Sequence, residues 1–493
     1  MSDLQDLYAV LGVPPESQPE DIRQAYHVAA RRLHPDINPN PGAAYQFRDI
    51  TAAHQVLSDP ISRQKYDTKR KQTAVEKPYF SLRVTPSKRK LPVMNEPQVL
   101  YVLVEIVPDR QLEGRSTSTP LNLTLLIDHS TSMNGIRLER TKVAAHQIID
   151  QLSEKDVLSI VTFSDRADVF LKASPLRDKS GAKALVTTMQ ASGSTAMLQG
   201  MLAAVEQNRI YAGRNFVNHI IMITDGRTYG DEPACLELAE RAASEGIGIS
   251  AMGIGDEWND TFLDQLASRT GGISEYITSP NAVVRFLNER VRSLGKALAE
   301  RVQVSLAPDP DIKIELAFRL TPNPQPVLLD VDPVPIGQLQ VQQNTSLLLQ
   351  LQMPALMIAG FRSLMRIEVA GDIMWDSRPN CCVIADTSIE VVPSPPPEEP
   401  PLSIIDALGK LTLYRMQQKA EEAARRGDVR EATRRLENLA TRLLEAGHDD
   451  LAHAAITEAQ RVSSTSMLSD EGQKRLKYGT RMLMLPAPKD SNS

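Results

Sequence analysis

Cysteine is scarce in this chain of 493 residues: Cys235, Cys381 and Cys382 are the whole complement. Adjacent cysteines rarely pair with each other, and no Cys-x-x-Cys spacing occurs. A disulfide framework and a cysteine zinc site are therefore both excluded, as expected of a reduced compartment. An excess of positive charge is also missing. Lys and Arg total 55 against 61 Asp and Glu, a formal net charge of -6, which argues against a dedicated nucleic-acid binder. Long apolar runs are absent too. A stretch such as Leu121–Ile127 falls far short of the ~20 residues a membrane span needs. The opening Met1-Ser2-Asp3-Leu4-Gln5-Asp6 is polar and acidic, without the basic and apolar regions of a signal peptide. These features predict a soluble, cytoplasmic protein with no membrane span. No Ser-His-Asp ordering, Gly-rich phosphate loop or His-Glu-x-x-His stands in the chain, so the common hydrolase and nucleotide motifs are wanting.

What is present is apolar material for several cores. Hydrophobic residues make up 42%, and the length suits roughly three or four domains. Residues 1–70 read as short helices. Ser17-Gln18-Pro19-Glu20 has the pattern of a capping box, and Ile22, Ala25, Tyr26, Ala29 and Leu33 then recur at helical spacing until Pro35 stops the helix. A further helix is predicted over about Ala43–Leu57. After a linker at 71–78, Tyr79–Thr85 and Gln98–Val107 are dense in strand formers.

From Leu121 short apolar strands alternate with amphipathic helices. The strands are Leu121–Ile127, Val157–Phe163, His219–Thr224, Ile247–Gly253 and Ser274–Thr278, and Arg137–Leu152 and Pro233–Glu245 are two of the helices. This alternation predicts a mostly parallel sheet covered on both faces. Residues 300–392 return to strand-like text. Together with 79–119 they are predicted to form one discontinuous β-sandwich, with an α/β domain at 120–293 inserted between the parts. A Pro-rich linker at 393–402 leads to a helical region, 403–485, with turns at Gly427-Asp428 and Gly447-His448. Its amphipathic pairs look similar to tetratricopeptide hairpins, although no 34-residue period repeats. Residues 486–493 read as a tail.

His34-Pro35-Asp36 would carry little weight alone, but its surroundings resemble a J domain of the DnaJ type over residues 6–67. The matching text is Leu7-Tyr8-Ala9-Val10-Leu11-Gly12-Val13, Ile22-Arg23-Gln24-Ala25-Tyr26, Leu33-His34-Pro35-Asp36, Phe47, Ile50, Val56-Leu57-Ser58-Asp59 and Arg63-Gln64-Lys65-Tyr66-Asp67. The resemblance implies that His34-Pro35-Asp36 docks on an ATP-bound Hsp70 chaperone of the DnaK type and triggers its ATP hydrolysis. Arg23, His27 and Arg31 recur every four residues and share one helix face, which can meet an acidic patch by complementary charge. Two departures stand out. His54 takes the place of a usual Tyr, and Ile37 follows the tripeptide where Lys is common. No Gly/Phe-rich stretch or zinc-binding cysteine repeat follows, so client recognition is expected elsewhere in the chain.

Asp128-His129-Ser130-Thr131-Ser132 directly follows the strand Leu121–Ile127 and resembles the Asp-x-Ser-x-Ser motif of von Willebrand factor A domains. Carried over residue by residue, that family's metal site falls on Asp128, Ser130 and Ser132, on Thr195 in Gly193-Ser194-Thr195, and on Asp225 in Thr224-Asp225-Gly226. The implied cofactor is Mg2+, with Mn2+ and Ca2+ as other hard cations that oxygen ligands suit. The implied partner is a protein that supplies an Asp or Glu carboxylate to the ion. His129 and His219 also lie near these loops in sequence, but imidazole suits softer metals, and both are read as structural. The basic clusters Lys69-Arg70-Lys71 and Lys88-Arg89-Lys90 read as solvated linker charge.

The fold class expected is therefore multidomain: a small all-α J domain, a doubly wound α/β domain inserted in a β-sandwich, and C-terminal helical hairpins. The function expected is that of a non-enzymatic adaptor, an Hsp70 co-chaperone. Two rivals are a structural hub working with an AAA+ ATPase and, with less support, a Mg2+-dependent hydrolase.

Overall fold

The structure, a computed structural model, describes residues 7–11, 13, 17–34, 36, 41–72, 79–109, 119–213, 215–226, 230–255, 257–277, 279–374 and 378–484. Pro35, Ile37, the linker residues 73–78 and the tail 486–493 fall outside this set.

The N-terminal unit consists of α1 (Leu7–Leu11), α2 (Pro19–Leu33), α3 (Pro41–Ser58) and α4 (Pro60–Gln72). Leu7, Tyr8, Leu11, Ile22, Leu33, Ile50, Ala53 and Leu57 form its core. The late motif residues hold the bundle shut. The Tyr8 hydroxyl donates to Asp67 Oδ1 at 2.8 Å and accepts from Arg63 Nε at 2.9 Å, while the Tyr66 hydroxyl accepts from the Leu7 amide at 3.0 Å. The capping box is shifted by one residue from the predicted one. Gln18 is the cap of α2, and Asp21 rather than Glu20 reaches back, accepting from the Gln18 amide at 3.0 Å. Ser17 is instead buried, and its carbonyl accepts from Arg63 Nη2.

The chain then lays down β1 (Phe80–Pro86), β2 (Lys90–Pro92) and β3 (Gln98–Pro108), and passes into the α/β unit. This contains β4 (Leu121–Asp128), α5 (Ile136–Gln151), β5 (Val157–Phe163), β6 (Ala167–Pro175), α6 (Lys179–Thr187), α7 (Met197–Arg209), β7 (Val217–Thr224), α8 (Glu232–Ser244), β8 (Gly248–Ile254), α9 (Asp260–Arg269), β9 (Ser274–Ile277) and α10 (Pro280–Leu294). Its sheet runs β6-β5-β4-β7-β8-β9, all parallel except β6. Helices α5, α6 and α10 pack one face, and α7, α8 and α9 the other. Every residue of β4, β5 and β7 is buried, which is why these strands read as near-continuous apolar text. Their few polar side chains bond each other. Asn122 Nδ2 donates to the Asn208 carbonyl at 2.7 Å, Asn208 Nδ2 donates to Thr124 Oγ1, and Ser159 Oγ donates to the same Thr124.

Beyond this unit come β10 (Ala297–Pro308), β11 (Lys313–Thr321), β12 (Gln325–Pro326), β13 (Val334–Gln340), β14 (Thr345–Met353), β15 (Gly360–Ile373) and β16 (Arg378–Val392). They join the early strands in two sheets, β1-β3-β14-β11-β12 and β13-β10-β15-β16-β2. Leu100, Val102, Val104 and Ile106 of the first sheet meet Val304, Ile367, Val369 and Val391 of the second in one core. The α/β unit is thus inserted between β3 and β10 of a β-sandwich.

Four helices close the chain: α11 (Leu402–Arg425), α12 (Val429–Glu445), α13 (Asp449–Thr465) and α14 (Asp470–Met482). Gly427 and Gly447 end α11 and α12 at φ +79° and +77°, a backbone conformation that glycine reaches without strain. These helices bridge the other units. Ile404, Leu411 and Tyr414 of α11 pack on Phe318 and Leu348 of the sandwich. Tyr478 of α14 enters the core of the α/β unit. The N-terminal bundle also rests on the sandwich. Phe361 joins its core, Gln46 bonds Ser363, and Arg366 pairs with Asp49 at 3.1 Å. No helix among the described residues is long and apolar enough to cross a membrane.

Candidate functional site

The strand order places β4 beside β7, and the chain leaves β4 toward β5 on one side and β7 toward β8 on the other. The crevice at its carboxyl end is the topological switch point where open α/β sheets bind ligands. Asp128 ends β4 and Asp225 follows β7, one on each side of that crevice.

Asp128 and Asp225 are both fully buried. Asp128 Oδ1 accepts from the Ser130 amide at 2.8 Å, and its Oδ2 accepts from Thr224 Oγ1 at 2.7 Å across the switch point. Ser130 Oγ lies 3.1 Å from Ser132 Oγ, which donates to Asp225 Oδ1 at 2.7 Å. Thr195 arrives from the loop before α7. A Cβ added at Gly226 would stand 3.0 Å from Thr195 Oγ1 and 3.7 Å from Asp128 Oδ2, so glycine is what lets these loops close on each other. The structure therefore brings Asp128, Ser130, Ser132, Thr195 and Asp225 into one cluster. The carboxylates lie at its buried floor, and the exposed Ser132 and half-buried Thr195 at its mouth. Burial pushes the Asp128 carboxyl above the usual range and the Asp225 charge adds to this, against hydrogen bonds from Ser130 and Thr224. All the donors are hard oxygens, which fits Mg2+, Mn2+ or Ca2+. Among the described residues no group of three or more His, Cys, Asp or Glu gathers that could hold a metal, so the hydroxyls are an essential part of this set.

Several residues that support the cluster were not picked out from the sequence. Thr224 was visible only as the neighbour of Asp225. Asp165 holds the Thr195 loop by accepting from the Ser194 amide at 2.6 Å. The Gly193 carbonyl accepts from the Thr131 amide and hydroxyl, tying that loop to the first one. Arg137 Nη1 donates to Asp225 Oδ2 at 2.5 Å. A lone Arg five positions past Ser132 carries no sequence signal.

The two histidines part company. His129 Nδ1 bonds the Gln190 carbonyl at 3.0 Å beside the cluster. His219 is not near it. As the third residue of β7 it lies toward the opposite end of the sheet from Asp225, roughly 15–20 Å away at about 3.3 Å per residue. There its Nε2 bonds Ser250 Oγ at 2.9 Å. Sequence proximity to a strand misleads because a strand's two ends face different surfaces. Burial, as the largest cause, pushes the Cys235 and Cys382 thiols up to about 12.

In the N-terminal unit His34 caps α2, with its ring edge against Phe47 at 5.2 Å. Its Nδ1 stands 3.2 Å from the Asp36 amide and 3.6 Å from Asp36 Oδ2, so both side chains are held at the mouth of the α2–α3 loop. Pro35 between them lies outside the described residues. Arg23, His27 and Arg31 are exposed on α2. His54 stacks on Tyr26 with centroids 4.1 Å apart, so it keeps the packing of the aromatic ring it replaces.

Comparisons with known proteins agree with these folds. The DnaJ domain matches residues 6–67, the von Willebrand factor type A domain matches 122–289, and the Sll0103-like, C-terminal alpha-helical domain matches 402–486. The uncharacterized protein sll0103 of Synechocystis sp. is 33% identical over 193 residues, 38% of this chain and 46% of that protein. Chaperone protein DnaJ 1 of Mycobacterium leprae is 46% identical over 67 residues, 14% of this chain and 17% of its own length. The chain thus spans less than half of each of these relatives. Among solved structures, a von Willebrand factor type A protein from Catenulispora acidiphila covers 82% of this chain and 96% of its own, with TM-score 0.63 and 17% identity. The ArnB paralog VWA2 from Sulfolobus acidocaldarius covers 83% of this chain and 100% of its own, with TM-score 0.52 and 13% identity. At these identities the likeness is one of fold.

The doubly wound sheet, with its crown of hydroxyls and carboxylates, is a von Willebrand factor A domain seated in a β-sandwich. The chain as a whole is a J-domain protein that carries this domain and a C-terminal helical domain. J domains and von Willebrand factor A domains are in general non-enzymatic modules for protein interaction.

Proposed function

We propose that this protein is an Hsp70 co-chaperone that works as an adaptor. Its J domain stimulates a DnaK-type Hsp70 through His34, Pro35 and Asp36, with Arg23, His27 and Arg31 as the docking face. Its von Willebrand factor A domain captures a protein partner through a divalent cation, Mg2+ in the first place, held by Asp128, Ser130, Ser132, Thr195 and Asp225.

The observation that carries this reading is the oxygen crown at the switch point. Two buried carboxylates and three hydroxyls converge from three loops, with Ser130 buried beside the carboxylates and Ser132 and Thr195 toward solvent. When bound, the ion supplies a Lewis-acidic centre for an incoming oxygen ligand. Few fully charged groups surround it, so a partner's Asp or Glu carboxylate is its natural complement. The J domain is supported by a second set of facts: His34 and Asp36 stand together beside an exposed basic helix face. Joining both functions in one chain raises the local concentration of Hsp70 at the captured partner, to the mM range for short connections. Weak docking then suffices.

Affinity purification of wild type, His34→Gln and Asp128→Ala in Mg2+ buffer tests both halves. Hsp70 is expected to be lost with His34→Gln and retained with Asp128→Ala. A second set of proteins is expected to show the reverse, and to be released by chelator. Identical captures by all three proteins contradict the reading, and an AAA+ ATPase without any Hsp70 would favour a structural hub instead.

A further inference from the structure

Among the described residues, Arg137 is the cation whose guanidinium reaches into the crown. Its Nη1 donates to Asp225 Oδ2 at 2.5 Å and to the Ser132 carbonyl at 3.3 Å. The other carboxylate oxygen of Asp225 already accepts from Ser132 Oγ. Both oxygens of this fully buried group are therefore engaged by the protein itself. The Arg137 side chain is 32% exposed and its guanidinium is paired with the buried Asp225 carboxylate. Behind it stands Gly255, at φ +73°, where an added Cβ would come within 2.9 Å of Arg137 Nη2. The Gly255 carbonyl accepts from Trp258 Nε1 at 2.7 Å, and the buried Trp258 ring packs beside Tyr276 and Tyr478. A rigid aromatic cluster thus fixes the turn that leaves room for the arginine.

Resting on the reading of the crown as a divalent-cation site, we infer that Arg137 is a positioning residue that sets how that site spends its charge. With Ser132 Oγ on Oδ1 and Arg137 on Oδ2, Asp225 would be kept from direct coordination of a bound ion. Arg137 also cancels one of the two buried negative charges. A divalent ion with Asp128, Asp225 and Arg137 around it leaves a net charge of +1, which a partner's carboxylate neutralises. Without Arg137 the same ion would be neutralised by the protein alone and would offer an acidic partner little. Arg137 therefore weakens metal binding and favours an anionic ligand, and it is a specificity-determining residue for the partner.

The test is calorimetric titration of Mn2+ and of Mg2+ into the full chain, comparing wild type, Arg137→Gln, Arg137→Lys and Asp128→Ala. Arg137→Gln is expected to bind the ions ten- to a hundredfold more tightly. That is the scale of a unit charge acting on a divalent ion about 6 Å away at an effective dielectric constant of about 40–80. Arg137→Lys keeps the charge and is expected within about threefold of wild type. Proton relaxation of Mn2+-bound water is expected to fall in Arg137→Gln, as Asp225 displaces a water from the ion. A purely structural arginine would not move that signal. Should Arg137→Gln not fold, Arg137→Lys still decides, because tightening of tenfold or more with the charge retained overturns the inference. Wild type that binds, with Arg137→Gln equal or weaker, also overturns it. Wild type that binds neither ion any better than Asp128→Ala sinks the metal-site reading itself, and this inference with it.

Discussion

The C-terminal helical domain is locked to the von Willebrand factor A domain by a buried charge cluster, and removing Asp264 should break the lock. Asp264, on α9, accepts from Arg481 Nη1 at 2.9 Å and from the Tyr478 hydroxyl at 3.1 Å, and pairs with Lys477 at 2.9 Å. Lys477 also pairs with Asp260. The side chains of Lys477 and Arg481 are 10% and 4% exposed, so two aspartates and two cations form a neutral group with little access to water. Burial alone would raise the Asp264 carboxyl, but Arg481 and Lys477 outweigh it and hold the group well below the usual carboxylate range. Asp264→Ala leaves a cation stranded in the interface. Breaking one partner of such a pair costs about 3–5 kcal/mol. Replacing both partners by apolar groups costs far less, so Asp264→Ala/Arg481→Met should recover at least ~2 kcal/mol, a coupling that a double-mutant cycle reads directly. Guanidinium denaturation followed by Trp258 fluorescence is the assay, because Trp258 stands 5.8 Å from Tyr478 and senses whether α14 is docked. An Asp264→Ala protein within 1 kcal/mol of wild type, or a double variant no better than the single, would refute the reasoning.

Other perturbations give separate checks. The depressed Asp264 group also makes stability fall in acid. It stabilises fully above its unfolded pKa of about 3.9 and loses that contribution as pH drops below it, so the acid transition measured by fluorescence should be blunted in Asp264→Ala. Glu300 behaves in the opposite sense. Burial pushes its carboxyl up to about 8 against Arg290 and Arg301, so the folded state holds a proton that the unfolded state releases. Stability should decline as pH rises from about 4.5 to 8, by at most roughly 5 kcal/mol, and melting temperatures of Glu300→Gln should lose that slope. Gly253→Ala would put a Cβ 2.0 Å from Trp258 Cε2. It should cost at least about 1–3 kcal/mol by overpacking, with a shift in Trp emission, and an unshifted spectrum would contradict the packing described.

The sequence exposed those features whose physics is local. Strands buried on both faces had to be apolar, which made β4, β5 and β7 visible, and the amphipathic pairs around Gly427 and Gly447 revealed the C-terminal hairpins. Asp128, Ser130 and Ser132 were legible because they fall in one short run at the end of β4, and Asp225 because it directly follows β7, whereas Thr195, between α6 and α7, was legible only through the family pattern. Edge β6 lacks the apolar density of its neighbours because each of its residues is half-buried or exposed. Three-residue β2 is too short for any periodicity. What remained hidden was long-range. Arg366 and Asp49 are 317 positions apart, and Lys477 and Asp260 217. Arg137 acquires its role only when the chain folds Asp225 onto it. The displaced cap of α2 and the remote position of His219 show the same limit at short range, since neither register nor strand end follows from composition.

The central claim joins Hsp70 stimulation to the von Willebrand factor A domain in one chain, and the steady-state ATPase rate of a DnaK-type Hsp70 tests its first half most directly. Full-length protein is predicted to raise that rate, Asp128→Ala to raise it equally, and His34→Gln to leave it at the basal level. Equal rates with wild type and His34→Gln would contradict the account.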